Sequence, residues 1–99
     1  MKKRARVNWL TPEQGGRAAL PADRRYVTIA RFAEDGPSWP DGAWSVVAEF
    51  DVEPIRQGNP SLGSVSFLME SAPRERLATG TKFELHEGRK LVAYVDVLS

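Results

Sequence analysis

The chain is divided into short runs of β-branched and aromatic residues, each closed by a cluster of Gly, Pro or Asp. In the first run apolar and polar residues alternate at every second position, which is the periodicity of a strand with one buried face. The last run alternates in the same way and places Leu91, Ala93 and Val95 on one face. The pattern predicts six strands: Arg4–Leu10, Arg25–Ala33, Ala43–Val52, Leu62–Glu70, Thr81–Leu85 and Lys90–Leu98.

The segments between these runs predict loops and turns. Glu34–Gly42 holds two prolines and two glycines, and Glu53–Ser61 is also marked as a loop by Pro and Gly. Thr11–Arg24 is a long connector, and long connectors are often functional. Only Pro73–Ala78 suggests a helical turn, and His86–Arg89 predicts a tight hairpin turn. The chain is therefore predicted to be all-β, as a small six-stranded antiparallel closed barrel, because closure removes exposed strand edges.

Length and composition limit the alternatives further. Ninety-nine residues suit a single domain over residues 1–99, which we expect to begin with a flexible basic tail at about residues 1–3. The absence of cysteine excludes disulfides, thiolate metal sites and cysteine nucleophiles. No segment has the pattern of a signal peptide or of a membrane span. We therefore expect a cytoplasmic protein with no membrane partner.

Charge is unevenly distributed, although the formal net charge is only +1. Residues 1–32 carry eight basic and two acidic side chains, a net +6, whereas residues 33–70 carry one basic and seven acidic side chains, a net −6. A basic first third suits a surface that contacts phosphates. The alternative is that Lys2, Lys3 and Arg4 form a solubilising tail.

Nothing in the sequence predicts catalysis. The single histidine, His86, falls in the predicted turn and is interpreted as an exposed turn residue. No serine lies in a nucleophile elbow, and no glycine-rich loop has the phosphate-binding pattern. We therefore predict a protein that is not an enzyme, with no cofactor and no metal.

The three tryptophans fall in different contexts. Trp9 and Trp44 lie on apolar faces and are assigned to the core. Trp39 lies in a polar loop, where it is either an exposed stacking platform or, as we favour, a cap that folds back over one end of the barrel.

Two segments carry a resemblance to a known domain. Ala5–Arg17 reads as a strand followed by Leu-Thr, polar residues and Gly-Gly-Arg, and Gly80–Val97 reads as a strand, a Glu-Gly turn and a final strand. Together they resemble the C-terminal β-barrel, the third domain, of elongation factor Tu. Gly15 and Gly16 are the structural turn positions of the first segment. The clear match covers about a third of the chain, and Ala33–Gly63 matches only in strand pattern.

The resemblance implies a six-stranded antiparallel barrel that binds a partner through one end. In the family this domain helps to hold the T stem of aminoacyl-tRNA through the Arg of Gly-Gly-Arg and the Glu-Gly of the hairpin, which correspond here to Arg17, Glu87 and Gly88. Arg25 corresponds to a further family arginine. The family's hairpin Arg is His86 here, its second Gly is Arg89, and Ala18-Ala19 replaces His-Thr. The candidate binding residues are Arg17, Arg25, Glu87, Gly88, Arg89 and Lys90.

Three hypotheses follow. The first is a non-catalytic binding module that engages a protein partner, such as a component of translation, because only half of the polar set that faces tRNA in the family is retained. The second is a weak binder of structured RNA through Arg17, Arg24, Arg25, Arg89 and Lys90; no DNA partner is expected. The third is an enzyme with His86 beside a carboxylate in a pocket. The sequence leaves the oligomeric state open.

Overall fold

A computed structural model describes all residues, 1–99, and contains six strands. Five of them begin and end within two residues of the predicted positions, and the fourth strand ends three residues early, at Phe67 rather than Glu70. The strands are β1 Lys3–Trp9, β2 Arg25–Arg31, β3 Ser45–Phe50, β4 Ser61–Phe67, β5 Lys82–Glu87 and β6 Lys90–Val97.

The strands form a closed barrel in the order β1-β4-β3-β2-β5-β6, and every neighbouring pair is antiparallel. Strand β1 completes the ring because it pairs with β4 on one side and with β6 on the other. Closure leaves no free sheet edge. The predicted fold class, a small all-β six-stranded antiparallel barrel, is confirmed.

Alternation along the strands places the core inside the barrel. Val7 lies opposite Val95 on β6, and both side chains point inward because directly opposed residues share a face. The apolar positions predicted from the alternation of β1 are buried, including Trp9 at 4% exposure. The core residues are Ala5, Val7, Trp9, Ala30, Phe32, Val46, Ala48, Phe50, Val65, Leu77, Phe83, Leu85, Val92, Ala93, Val95 and Val97.

A β-bulge changes the predicted facing of β6. Leu85 pairs with Ala93, whereas the next residue of β5, His86, pairs with Leu91, so Val92 is an extra residue in β6. Val92 is fully buried in the core and Leu91 is only partly buried. The prediction that Leu91 shares a face with Ala93 and Val95 is therefore wrong, because regular alternation does not anticipate an inserted residue.

Two residues of the expected flexible tail, at about residues 1–3, contact the barrel. Strand β1 already includes Lys3, and the Lys2 ammonium lies 2.7 Å from a carboxylate oxygen of Glu49. The flexibility of these residues stays a prediction.

The connections contain only short helical segments. The connector Thr11–Arg24 begins with a 3-10 turn at Pro12–Gln14, closed by a capping box between Thr11 and Gln14. The predicted helical turn is a 3-10 segment at Arg74–Leu77, whose Leu77 belongs to the core. The predicted loop Glu53–Ser61 contains one short helix, α1, at Pro54–Gln57. None of these helices has the length and apolar character needed to cross a membrane.

Candidate functional site

The predicted binding residues gather at one end of the barrel. We call it the hairpin end: the end at which β1, β3 and β5 finish and β2, β4 and β6 begin. The hairpin itself is tight, since Glu87 closes β5, Gly88 and Arg89 form the turn, and Lys90 opens β6. Gly88 adopts a φ of 62°, a conformation that side chains with a Cβ rarely take.

Arg17 and Glu87 contact each other directly at this end. The Arg17 Nη1 group donates a hydrogen bond to Glu87 Oε2, and the Tyr26 hydroxyl donates to the same oxygen. The Arg17 guanidinium carbon also lies 5.7 Å from the centre of the Tyr26 ring, within the range of a cation–π interaction. Arg17 Nε donates to the Ala19 carbonyl at 3.0 Å. These contacts fasten the connector to the β5–β6 hairpin.

The two glycines of the connector explain how Arg17 reaches this position. Gly15 follows the 3-10 turn with a φ of 88°, which reverses the chain. Gly16 then passes so close to the end of β1 that a Cβ there would lie 2.2 Å from the Leu10 carbonyl oxygen. Only a residue without a side chain fits, so the chain can return over Trp9 and present Arg17 to the hairpin.

Electrostatics fix the protonation states of the Arg17–Tyr26–Glu87 group. Burial opposes ionisation of Glu87, but hydrogen bonds from Tyr26 and Arg17 outweigh burial and hold its pKa below the usual value. Burial, together with the bond to the Glu87 carboxylate, raises the pKa of Tyr26 well above its usual value. At neutral pH Glu87 is therefore a charged acceptor and Tyr26 a neutral donor.

Three further predicted residues surround this group with free positive charge. Arg25, Arg89 and Lys90 are exposed at the hairpin end, and none of them forms an ion pair within 4.0 Å. Arg24, the additional cation of the RNA hypothesis, donates to the Phe50 carbonyl at 3.1 Å. The structure thus brings all six candidate residues to one end, with Arg17 and Glu87 bound to each other and the remaining cations open.

The basic first third does not form a continuous positive surface. The cations of β1 meet acidic residues of nearby strands: Arg4 lies 2.6 Å from Asp51, which follows β3, and Arg6 lies 3.2 Å from Asp96, its direct partner on β6. Lys2 contacts Glu49 in the same way. The interpretation of this segment as a phosphate-contacting surface is therefore corrected, because closure places the +6 and −6 segments side by side.

His86 lies in a strand rather than in the turn, and the prediction that it is exposed is wrong. It is only 6% exposed, because β5 continues to Glu87. Its Nε2 lies 2.8 Å from Glu84 Oε1, and its Nδ1 lies 3.4 Å from the Arg89 carbonyl oxygen. The turn was predicted at His86–Arg89, but the hairpin turn contains only Gly88 and Arg89. His86 therefore lies one position inside the end of β5.

Trp39 covers His86 and does not cap an end of the barrel. Its Nε1 donates to the Ala30 carbonyl at 3.0 Å, and its ring meets the His86 ring edge-on at 4.5 Å between centroids. Since Ala30 points into the core, His86 and its partner Ile29 point outward. Trp39 therefore folds back over the outer face of β2 and β5, so the location predicted for it is corrected.

Sequence reasoning missed one contributor to these contacts and misplaced one tryptophan. Tyr26 was assigned only to a strand, yet its hydroxyl completes the group at Arg17 and Glu87. Trp44 was assigned to the core, but it lies just before β3, is partly buried and is outside the core cluster.

Comparisons with known proteins add no assignment. No protein-family model matches the chain, and no curated protein matches it. The structure brings together no group of three or more His, Asp or Glu side chains that could hold a metal ion.

Proposed function

We propose that this barrel is a non-catalytic, cytoplasmic binding module of the elongation factor Tu third-barrel type that engages a protein partner through its hairpin end. One observation supports this proposal above the others. Arg17 and Glu87, which are 70 residues apart in the chain, are held together by Tyr26 at an end that also exposes Arg25, Arg89 and Lys90. A rigid ion pair surrounded by free cations is suited to an acidic surface of a partner.

The charge pairing favours a protein over RNA. Much of the positive charge of the first third is neutralised by Glu49, Asp51 and Asp96. Arg17 is the arginine that the family resemblance would assign to RNA, and it already forms an ion pair with Glu87. Affinity for RNA depends on the number of cations free to displace counterions, and half of the fourteen Lys and Arg side chains are held in ion pairs here.

Structured RNA remains the second candidate because of one feature. Arg24, Arg25, Arg89 and Lys90 are all exposed, and all lie at the hairpin end close to Arg17. Such a cluster would bind the phosphates of a folded RNA weakly, with an affinity that falls steeply as salt is added. The partner would then be a tRNA-like molecule.

The test is a capture experiment with matched charge-reversal variants. The wild-type protein, Arg89→Glu and Arg74→Glu are each used as bait in nuclease-treated extract of the source organism. Arg74 is equally exposed but lies in the 3-10 segment at the opposite end of the barrel. We expect one protein to be recovered in near-stoichiometric amount by the wild type and by Arg74→Glu, and to be lost with Arg89→Glu.

Two results would contradict the proposal. If the wild type captures material from untreated extract and nothing from nuclease-treated extract, the partner is RNA. If Arg74→Glu loses the protein as completely as Arg89→Glu, the hairpin end is not the contact surface.

A further inference from the structure

A second site lies outside the barrel, away from the hairpin end. Strands β2 and β5 pair only from Ile29 to Arg31, and beyond Arg31 the two chains separate. The separation leaves an open groove of about 400 Å³ beside the stacked rings of Phe32 and Phe83. This volume is at the lower end of the range for sites that bind small ligands or single side chains.

Arg31 is the exceptional residue of the groove because it has no acidic partner. It lies directly opposite Glu84 in the β2–β5 pairing, where a cross-strand ion pair is expected. Glu84 instead binds His86 Nε2 at 2.8 Å. No carboxylate oxygen lies within 4.0 Å of the Arg31 guanidinium.

The Arg31 guanidinium is nevertheless held in place. Its central carbon lies 5.3 Å from the centre of the Trp39 ring, over the indole. The indole is itself fixed by its bond to the Ala30 carbonyl and by the edge contact with His86. A guanidinium over an aromatic ring keeps its N–H groups available, so it can accept a carboxylate in the two-pronged geometry that arginine favours.

Two other charged residues of the groove have ion-pair partners within the protein. Asp35 lies 3.3 Å from Arg76, and Lys82 lies 3.4 Å from Asp96. Arg31 is thus the one cation of the groove that lacks an ion-pair partner. Beside it, the Tyr94 ring and Ala33 add apolar surface to the lining.

We propose that this groove binds a short acidic segment of a partner protein, with a carboxylate on Arg31 and a neighbouring apolar side chain against Tyr94 and Ala33. A carboxylate suits the site because Arg31 is the one cation of the groove without an ion pair. A peptide suits it because the site is an open groove along a strand rather than an enclosed pocket. The site is independent of the hairpin end, so it stands or falls separately from the proposed function.

The experiment is a titration followed by NMR, which monitors the backbone amide, Trp indole N–H and Arg Nε–H signals. The probe is the dipeptide acetyl-Glu-Phe-amide, and its matched control is acetyl-Gln-Phe-amide, which differs only in charge. We expect saturable shifts of Arg31 Nε–H and of the Trp39 indole N–H with the first peptide. Affinity for the second should be at least about tenfold weaker, the effect of losing a charge-assisted hydrogen bond.

Variants test the role of Arg31 itself. Arg31→Gln should abolish the response, and Arg31→Lys should weaken it because lysine retains the charge but not the forked geometry. Arg74→Gln is the control and should bind like the wild type. Unchanged spectra outside the groove verify that each variant is folded.

The proposal is overturned by any of three outcomes: equal binding of the two peptides, equal loss with Arg74→Gln, or shifts that map to Arg17 and Glu87 instead. Sodium phenylacetate is titrated in parallel. Binding of phenylacetate with no binding of acetyl-Glu-Phe-amide would assign the groove to a free acid and reject the peptide.

Discussion

At the scale of single residues, two positions carry most of the information about the hairpin end. Gly16 is required because the returning chain touches the end of β1. Glu87 is required because it accepts hydrogen bonds from both Arg17 and Tyr26. The first is a steric requirement and the second an electrostatic one, so they respond differently to substitution and to pH.

Gly16→Ala should destabilise the fold by about 2 kcal/mol or more, a typical cost of forcing a methyl group into occupied space. The added Cβ would lie 2.2 Å from the Leu10 carbonyl oxygen, which belongs to the backbone and cannot easily move. The measurement is urea-induced unfolding. The matched control is Gly36→Ala, where a Cβ meets no atom within 4 Å, and that change should be nearly neutral. Equal stability of the two variants would refute the steric role of Gly16.

Glu87→Gln should lower stability at neutral pH by about 1 kcal/mol, the usual scale for a partly exposed, hydrogen-bonded ion pair. The folded-state pKa of Glu87 lies below its unfolded value, which is about 4.3. The stabilisation is therefore complete above pH 4.3 and is lost as the pH falls through the folded pKa. The difference between wild type and variant should narrow below about pH 4.

Thermal unfolding at pH 7, 5 and 3 checks this dependence. Glu70→Gln is the control, since Glu70 is exposed and forms no ion pair, and it should leave stability unchanged at every pH. A difference between wild type and Glu87→Gln that stays constant from pH 7 to pH 3 would contradict the assignment.

At the scale of elements, a buried polar contact between β1 and β4 sets how these strands meet. The Trp9 indole Nε1 donates to Ser61 Oγ at 3.0 Å, and the Ser61 hydroxyl donates to the Gly58 carbonyl at 2.6 Å. Ser61 is fully buried at the start of β4, where strand alternation alone would favour an apolar residue. Its hydroxyl therefore serves the indole and the end of the loop that follows α1.

Ser61→Ala should cost about 1–3 kcal/mol, because it leaves the buried Trp9 N–H without an acceptor. The control on the same strand is Ser64→Ala, since Ser64 points outward and its hydroxyl makes no hydrogen bond within the protein. Chemical denaturation followed by Trp fluorescence measures both. If the two serine variants are equally stable, the indole bond contributes nothing.

At the scale of the whole molecule, barrel closure determines the surface charge. Strands that are distant in sequence become neighbours, and the cations of β1 meet the carboxylates that follow or belong to β3 and β6. Half of the fourteen Lys and Arg side chains therefore form ion pairs with carboxylates, and four of the seven that do not lie at the hairpin end: Arg24, Arg25, Arg89 and Lys90.

Binding to total tRNA should accordingly fall with added salt, but with a shallower slope than contacts from the whole basic first third would give. If Arg25, Arg89 and Lys90 make the phosphate contacts, the slope of log affinity against log salt concentration should be about −3 or shallower, at about 0.9 per contact. The slope is measured by filter binding at potassium chloride concentrations between about 50 and 300 mM. A slope of about −6 would show that the whole basic first third contacts RNA.

Much of the fold was predictable because its signals are local. Alternation identified all six strands, and the positions of Gly and Pro identified the loops, because both depend on residues that are adjacent in the chain. The bulge at Val92 was not predictable, since it depends on the pairing of β6 with β5 rather than on β6 alone. The same inserted residue, with the two-residue turn, places His86 inside the strand.

The candidate site was predictable only as a set of residues. The turn glycines, the Glu-Gly hairpin and the arginines can be read from the sequence, and the structure gathers them at one end. Their interactions could not be read, because Arg17 and Glu87 are 70 residues apart and Arg4 and Asp51 are 47 apart.

By itself, then, the sequence determined the strands, the turns and the all-β class, since these follow from local periodicity and backbone freedom. Only the tertiary structure decided which charges neutralise one another, that Trp39 covers His86, and that Arg31 is left without a carboxylate. The physical reason is that ion pairs and aromatic contacts form across strands, and strand order in a closed barrel is set by the packing of the whole core.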